Sequence, residues 1–187
     1  MVKPIILDLC GGTGSWSKYY RESGRYEVFV IDPYADGTDV RFLEFKKEWV
    51  GRVQGVLCAP PCTVFANSGA RWPRTKQDML DGLSVMDACL RIVQVYRPKW
   101  WALENPAGKM RRYLGDPTLI FDPCDFGDPY TKKTLLWGVF TSPMKNKVNP
   151  TQGSKMHLMF GGKSARTKRE RSKTPEGFSK AFFEANP

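Results

Sequence analysis

The 187-residue chain has no apolar run near the roughly 20 residues that a membrane span needs. Histidine occurs once, as His157, and the five cysteines (Cys10, Cys58, Cys62, Cys89 and Cys124) contain no Cys-x-x-Cys pair. No zinc-ligand spacing is therefore present, and the odd cysteine count argues against a disulfide framework. Reduced thiols and no metal are expected. Internal repeats are lacking. Met1-Val2-Lys3-Pro4 runs straight into a strand pattern without a signal peptide, so the expectation is a soluble, cytoplasmic protein without a membrane partner. Acidic residues are also scarce, 19 against 29 Lys and Arg.

The resulting net charge of +10 favours a polyanionic partner, nucleic acid first. The excess is uneven. Residues 139–173 hold nine Lys or Arg against one acid, Glu170, which is +8 of the +10. This stretch reads as a basic loop or arm, with Lys168, Arg169 and Arg171 as its densest part. Hydrophobic content of 41% and charged content of 26% suit one globular domain with one core.

Pro4 to Leu9 is a continuous apolar run, the pattern of a parallel strand buried on both faces. Cys10-Gly11-Gly12-Thr13-Gly14-Ser15 follows, and then a helix pattern from Trp16 to Ser23. Strand, glycine turn and helix open a nucleotide-binding α/β fold, in which glycine lets the main chain approach a ligand. A second strand pattern, Tyr26 to Ile31, ends at Asp32, 18 residues after Gly14. A carboxylate there is placed to accept hydrogen bonds from ribose hydroxyls. Asp39 to Phe42 reads as a short strand end and Leu43 to Val50 as a helix.

Val53 to Leu57 is a short buried strand, stopped by Pro60 and Pro61, which cannot donate main-chain hydrogen bonds. Cys62 comes next, just past the carboxyl end of a strand, where open α/β sheets place their chemistry. It is either a nucleophile or a small buried apolar side chain. Asn67 to Arg74 reads as a binding loop or an ordinary exposed one, with Arg71, Trp72 and Arg74 placed to meet phosphate and stack on a base. Lys76 to Tyr96 has helical spacing through Met79, Leu83, Met86, Leu90 and Val93, for core packing.

Trp100 to Leu103 reads as a strand ended by Glu104-Asn105-Pro106. In a parallel sheet Glu104 then shares an edge with Cys62 and Asp32, either in a joint site or as a capping residue. Gly108 to Leu114 reads as a short helix, and Thr118 to Phe121 and Thr134 to Gly138 as late strands around a turn at 126–133. Thr174 as N-cap and Pro175 at the first position start a last helix, which Phe178, Ala181 and Phe182 dock on the domain. The expected architecture is α/β, a mostly parallel sheet with helices on both faces. The expected divisions are 1–138, the basic stretch 139–173, and the docking helix 174–187.

The glycine loop from Asp8 to Gly14, the acids Asp32 and Asp39, the Pro61-Cys62 pair with Phe65, and Glu104-Asn105 after a strand resemble the cytosine carbon-5 methyltransferases. These are S-adenosylmethionine-dependent enzymes with a Rossmann-like class I methyltransferase fold. The likeness covers roughly residues 4 to 138, and Pro-Cys followed about 40 residues later by Glu-Asn is its most specific part. It implies that Cys62 adds to carbon 6 of cytosine, that Glu104 holds ring nitrogen 3 and the exocyclic amine, and that methyl transfer to carbon 5 follows. It implies a cofactor site of Asp8, Cys10, Gly11, Gly12, Gly14, Asp32, Asp39 and Pro60. DNA is the expected partner.

The chain departs from the family in four places. Glu104-Asn105 precedes Pro106 instead of valine. The family's Gln-x-Arg-x-Arg, counted back from Gly138, falls on Pro129, Thr131 and Lys133, which makes Lys133 the expected donor to the base. A Gly-Asn-Ser motif near the carboxyl terminus is not evident. About 35 residues between Gly138 and Thr174 leave no room for a target-recognition domain. Weak sequence preference is expected, or a protein partner that supplies target recognition. RNA or a free pyrimidine nucleotide as acceptor, and a nucleic-acid-binding relative without catalysis, remain alternatives. An amino-methyltransferase ranks low, because Ala59 stands where the required Asp or Asn would be, and an NAD oxidoreductase ranks low because Ser17 occupies the third glycine position.

Overall fold

The computed structural model describes residues 2–67, 73–154 and 165–187, with main chain only for Ala165, Arg166 and Lys168. Six strands form one sheet: β1 (Ile5–Leu9), β2 (Glu27–Ile31), β3 (Val53–Cys58), β4 (Trp100–Pro106), β5 (Leu119–Phe121) and β6 (Thr134–Val139). Their order is β2-β1-β3-β4-β6-β5. The first four run parallel, and β6 is antiparallel to both β4 and β5. Helices α1 (Lys18–Glu22), α2 (Lys76–Tyr96), α3 (Arg111–Leu114), α4 (Ala165–Ser172) and α5 (Glu176–Ala185) complete the chain.

Alternation along β1 divides the core. Ile5, Leu7 and Leu9 pack with Met86, Cys89, Ile92 and Val93 of α2. Ile6 faces the other way, onto Trp16, Tyr20 of α1, and Phe178 and Phe182 of α5. Helices therefore cover both faces, as expected, and the continuous apolar run of β1 is explained by burial on both sides. Helix α2 has the expected bounds. Thr75 accepts a hydrogen bond from Asp78 N–H at 3.0 Å while the Asp78 carboxylate accepts from Thr75 N–H at 2.8 Å, a capping box that fixes the start. Phe178 and Phe182 are fully buried, and Ala181 packs beside them.

Three expectations need correction. Val40–Phe42 and Lys47–Trp49 are 3₁₀ turns, not a strand end and a helix. Asp39 accepts a hydrogen bond from Arg41 N–H at 2.9 Å, which caps the first turn and diverts the chain from extended geometry. Strand β4 runs on through Glu104, Asn105 and Pro106, because β6 pairs with it in register from Trp101–Val139 to Pro106–Thr134. Pro106 sits at the terminal position, where its missing donor is tolerated. The final helix starts one residue late, with Pro175 as N-cap and Glu176 as first residue.

In the 139–173 stretch the described residues 139–154 and 165–173 include main-chain ties and a helix. Asn146, Val148 and Gln152 donate N–H groups to the carbonyls of Asp125, Cys124 and Pro129 at 2.8–2.9 Å, lacing it to the segment before β6. Its basic end, with Lys168, Arg169 and Arg171, forms α4. Among the described residues no helix is long and apolar enough to cross a membrane.

Candidate active site

The chain leaves β1 by left-handed turns. Cys10, Gly12 and Gly14 have φ of 57°, 51° and 64°, and glycine carries the last two without strain. The loop is fastened to the end of β2. Cys10 N–H donates to the Ile31 carbonyl at 2.8 Å, and Gly12 N–H donates to Asp32 Oδ2 at 3.1 Å. Asp32 Oδ1 accepts from Tyr34 N–H at 2.8 Å. Each Asp32 oxygen thus keeps a lone pair for a hydroxyl donor.

Asp8 lies beneath the loop. Its Oδ2 accepts the Ser17 hydroxyl at 2.5 Å, while its buried Oδ1 has no partner among the described residues. Burial pushes this carboxyl from 3.8 up to about 6. Arg21 braces the same corner, donating to Ser17 Oγ at 2.8 Å and to the Gly14 carbonyl at 2.7 Å. The Asp39 carboxylate is held by Arg41 at 2.5 Å, which keeps it below its ordinary range. A thiol contact with Cys89, then burial, then the charges of Asp32 and Asp39 push the Cys10 thiol up, so these residues share one corner. Glycine N–H groups beside an acid at the end of the next strand form a donor and acceptor set that fits a nucleoside cofactor.

Cys62 lies in the turn after β3. Its carbonyl accepts N–H groups of Phe65 at 3.0 Å and Ala66 at 2.8 Å, so the turn is helical in sense. Asn105 pins its start, donating from Nδ2 to the Pro60 carbonyl at 3.1 Å. Arg74 pins its middle, donating to the Thr63 carbonyl at 3.0 Å. Burial pushes the Cys62 thiol up, the neighbouring Glu104 carboxylate adds to this, and the Lys132 ammonium opposes it. Lys132 Nζ is 3.9 Å from Glu104 Oε1, and both side chains are largely shielded, with 10% and 19% exposure. Thiol, carboxylate and ammonium thus meet at one place on the sheet edge.

The cation in that trio is Lys132 and not Lys133, whose side chain is exposed. Successive residues of an extended segment point to opposite sides, so neighbouring lysines there meet different surroundings. Asp122 fixes the main chain of Lys132 by accepting its N–H at 2.9 Å. Nothing local in the sequence marks Asp122, which acts across 10 residues. Arg71 lies outside the described residues, as does the side chain of Lys168. Arg169 is exposed and Arg171 half-buried on α4. Past the end of α4, Thr174 N–H donates to Ser15 Oγ, next to the glycine loop, at 2.9 Å.

The chain matches none of the protein-family models. It is similar to the type II methyltransferase M.DdeI of Desulfomicrobium norvegicum, with 26% identity over 168 residues. That likeness takes in 71% of this chain but 39% of the relative. Among solved structures it is similar to an E. coli protein provisionally described as a prophage-encoded DNA modification methyltransferase, with a TM-score of 0.54 and 16% identity. The superposition covers 87% of this chain and 56% of the other. The chain thus spans about two fifths to just over half of these proteins' lengths. Sheet order, glycine loop and structural likeness together give this chain a Rossmann-like class I methyltransferase fold, and its sequence is similar to that of a type II methyltransferase.

Proposed function

We propose that the protein is a methyltransferase that modifies carbon 5 of cytosine in DNA through a covalent adduct with Cys62. The observation that carries this reading is the meeting of Cys62, Glu104 and Lys132 on the sheet edge that also holds Asp32. M.DdeI, the relative in sequence, is named a type II methyltransferase, which supports the reaction class. S-adenosylmethionine, when bound, would supply the electrophilic methyl group. The loop from Cys10 to Gly14 and Asp32 would hold it, with Asp8 bracing the loop from below and Asp39 and Pro60 lining the sides.

The residues then divide the proton work. At rest the Cys62 thiol is protonated, since burial and Glu104 outweigh Lys132. Glu104 takes the thiol proton and presents it to ring nitrogen 3 as the sulfur adds to carbon 6. Negative charge on Glu104 disappears as negative charge on sulfur forms, and Lys132 stabilises whichever of the two is charged. After transfer, carbon 5 loses its proton to solvent, the carbon–sulfur bond breaks, and the proton on ring nitrogen 3 returns through Glu104 to the departing sulfur, which regenerates the cysteine thiol and the Glu104 carboxylate. A base inside a duplex must first be flipped out of the stack. We expect weak intrinsic sequence choice or a protein partner that supplies it, because the short basic stretch between Gly138 and Thr174 offers backbone contacts more than base reading.

The test is labelled S-adenosylmethionine with duplex DNA, single-stranded DNA, RNA and dCMP, followed by digestion and analysis for 5-methylcytosine. Label in 5-methylcytosine from DNA, absent with Cys62→Ala, is the expected result. Transfer at the normal rate by Cys62→Ala would overturn the mechanism, and no transfer to any acceptor would overturn the activity.

A further inference from the structure

Beside the Cys62 turn lies a group of charges that the chemistry above does not use. Arg111 is paired with Asp116, and Lys132 with Glu104. Lys109, Arg112 and Lys133 make no side-chain hydrogen bond or ion pair among the described residues.

Main-chain bonds tie these three cations to the nucleophile's turn. Lys109 N–H donates to the Phe65 carbonyl at 2.7 Å, and Asn67 N–H donates to the Ala107 carbonyl at 3.0 Å. Ala66 and Gly108 form an antiparallel bridge between them. Gly108 is required there, because a Cβ would strike the Phe65 carbonyl. On the other side Ala107 N–H donates to the Lys133 carbonyl at 3.3 Å, and Arg112 N–H donates to the Lys109 carbonyl at 2.9 Å. Tyr113, 46% exposed, sets its ring edge-on to Phe65 with centroids 5.9 Å apart.

We propose that Lys133, Lys109 and Arg112 form a phosphate track for the polynucleotide strand that carries the target cytosine. The inference rests on Cys62 being the acceptor site, and it makes that acceptor a polynucleotide. Unpaired cations spread over a strand end, a connecting segment and a helix suit a run of successive phosphates better than one nucleotide's phosphate group. Tyr113 offers a ring at the same rim, where a base can stack.

The test is fluorescence-anisotropy binding of a labelled 20-mer, single-stranded and duplex, without cofactor and across a salt series. The variant is Lys109→Gln/Arg112→Gln/Lys133→Gln, and the control Lys3→Gln/Lys47→Gln/Lys180→Gln loses the same charge elsewhere on the exposed surface. The track variant should bind roughly tenfold or more weakly at low salt, and its log–log salt slope should fall by about 2 to 3. The control should change affinity less than about twofold. The charge-preserving Lys109→Arg/Arg112→Lys/Lys133→Arg variant should restore both. An unchanged slope in the track variant, or equal losses in track and control variants, would overturn the proposal while leaving methyl transfer intact. A slope loss in a wild-type protein that transfers no methyl group would keep the track and overturn the enzymatic reading.

Discussion

The glycine loop and the Cys62 turn lie on the same sheet edge, yet they are finished differently. Around the loop the carboxylates of Asp32 and Asp39 are already engaged by the chain's own N–H groups and by Arg41. Around the turn the main chain is equally well tied, to Asn105, Arg74 and the segment from Ala107 to Lys109. Three cations beside it, Lys109, Arg112 and Lys133, however, make no side-chain hydrogen bond or ion pair among the described residues. One region is complete as folded, and the other is complete in its backbone but open in its electrostatics. Ligand binding at the loop should therefore respond little to salt, whereas binding at the turn should respond strongly.

The sharpest way to break this comparison is at the trio itself. Glu104→Gln should lower methyl transfer roughly a hundredfold or more, the range for losing a positioned acid or base. The same change should speed alkylation of Cys62 by iodoacetamide at pH 7.5, because the Glu104 charge helps hold the thiol protonated. Lys132→Gln should slow alkylation. Identical alkylation rates in the three proteins would show that these groups do not act on the sulfur.

A second test addresses the loop. The Asp8 carboxyl is raised from 3.8 to about 6 in the folded chain, so its contribution to stability is fully present below pH 4 and is lost as pH rises through 6. Asn at this position does not titrate. The stability of Asp8→Asn relative to the parent should therefore rise by up to about 3 kcal/mol between pH 4 and pH 8. Urea unfolding midpoints at the two pH values measure it, and a pH-independent difference would remove the buried-carboxylate account.

The smallest expected effect is at the seam between the turn and α3. Gly108→Ala must push the Phe65 carbonyl aside, at a cost of about 1–3 kcal/mol. Thermal unfolding reads the cost, and cofactor affinity should stay unchanged. A loss of cofactor affinity equal to the loss of stability would mean that the two regions are not separable.

Much of this plan was legible in the chain. Pro4 to Leu9 announced a doubly buried strand by continuous hydrophobicity, and Lys76 to Tyr96 announced its helix by spacing. Cys62 and Glu104 could be placed on one edge because both follow strands of a parallel sheet. The choice between Lys132 and Lys133 was not legible, since it depends on the register of an extended segment that Asp122 fixes from a distance. Nor was the length of β4, whose last residues are extended only because β6 pairs with them. The turn at Val40–Phe42 was hidden for a related reason, because an Asx cap outcompeted an apolar pattern that read equally well as strand.

The carboxyl-terminal helix has a consequence for how the protein is made. Ser15 accepts from Thr174 N–H and, through its carbonyl, from the Ser179 hydroxyl, and the Tyr20 hydroxyl donates to the Asn186 carbonyl, contacts spanning 159 to 166 residues. Trp16 closes its ring against Phe178 and Phe182. The first strand–turn–helix unit is synthesised well before the residues that cover it. Contacts of such separation form late and slowly. A nascent chain stalled before Thr174 should hold Trp16 and Tyr20 uncovered, a surface for chaperones, and should complete its cofactor site only after the covering helix is made.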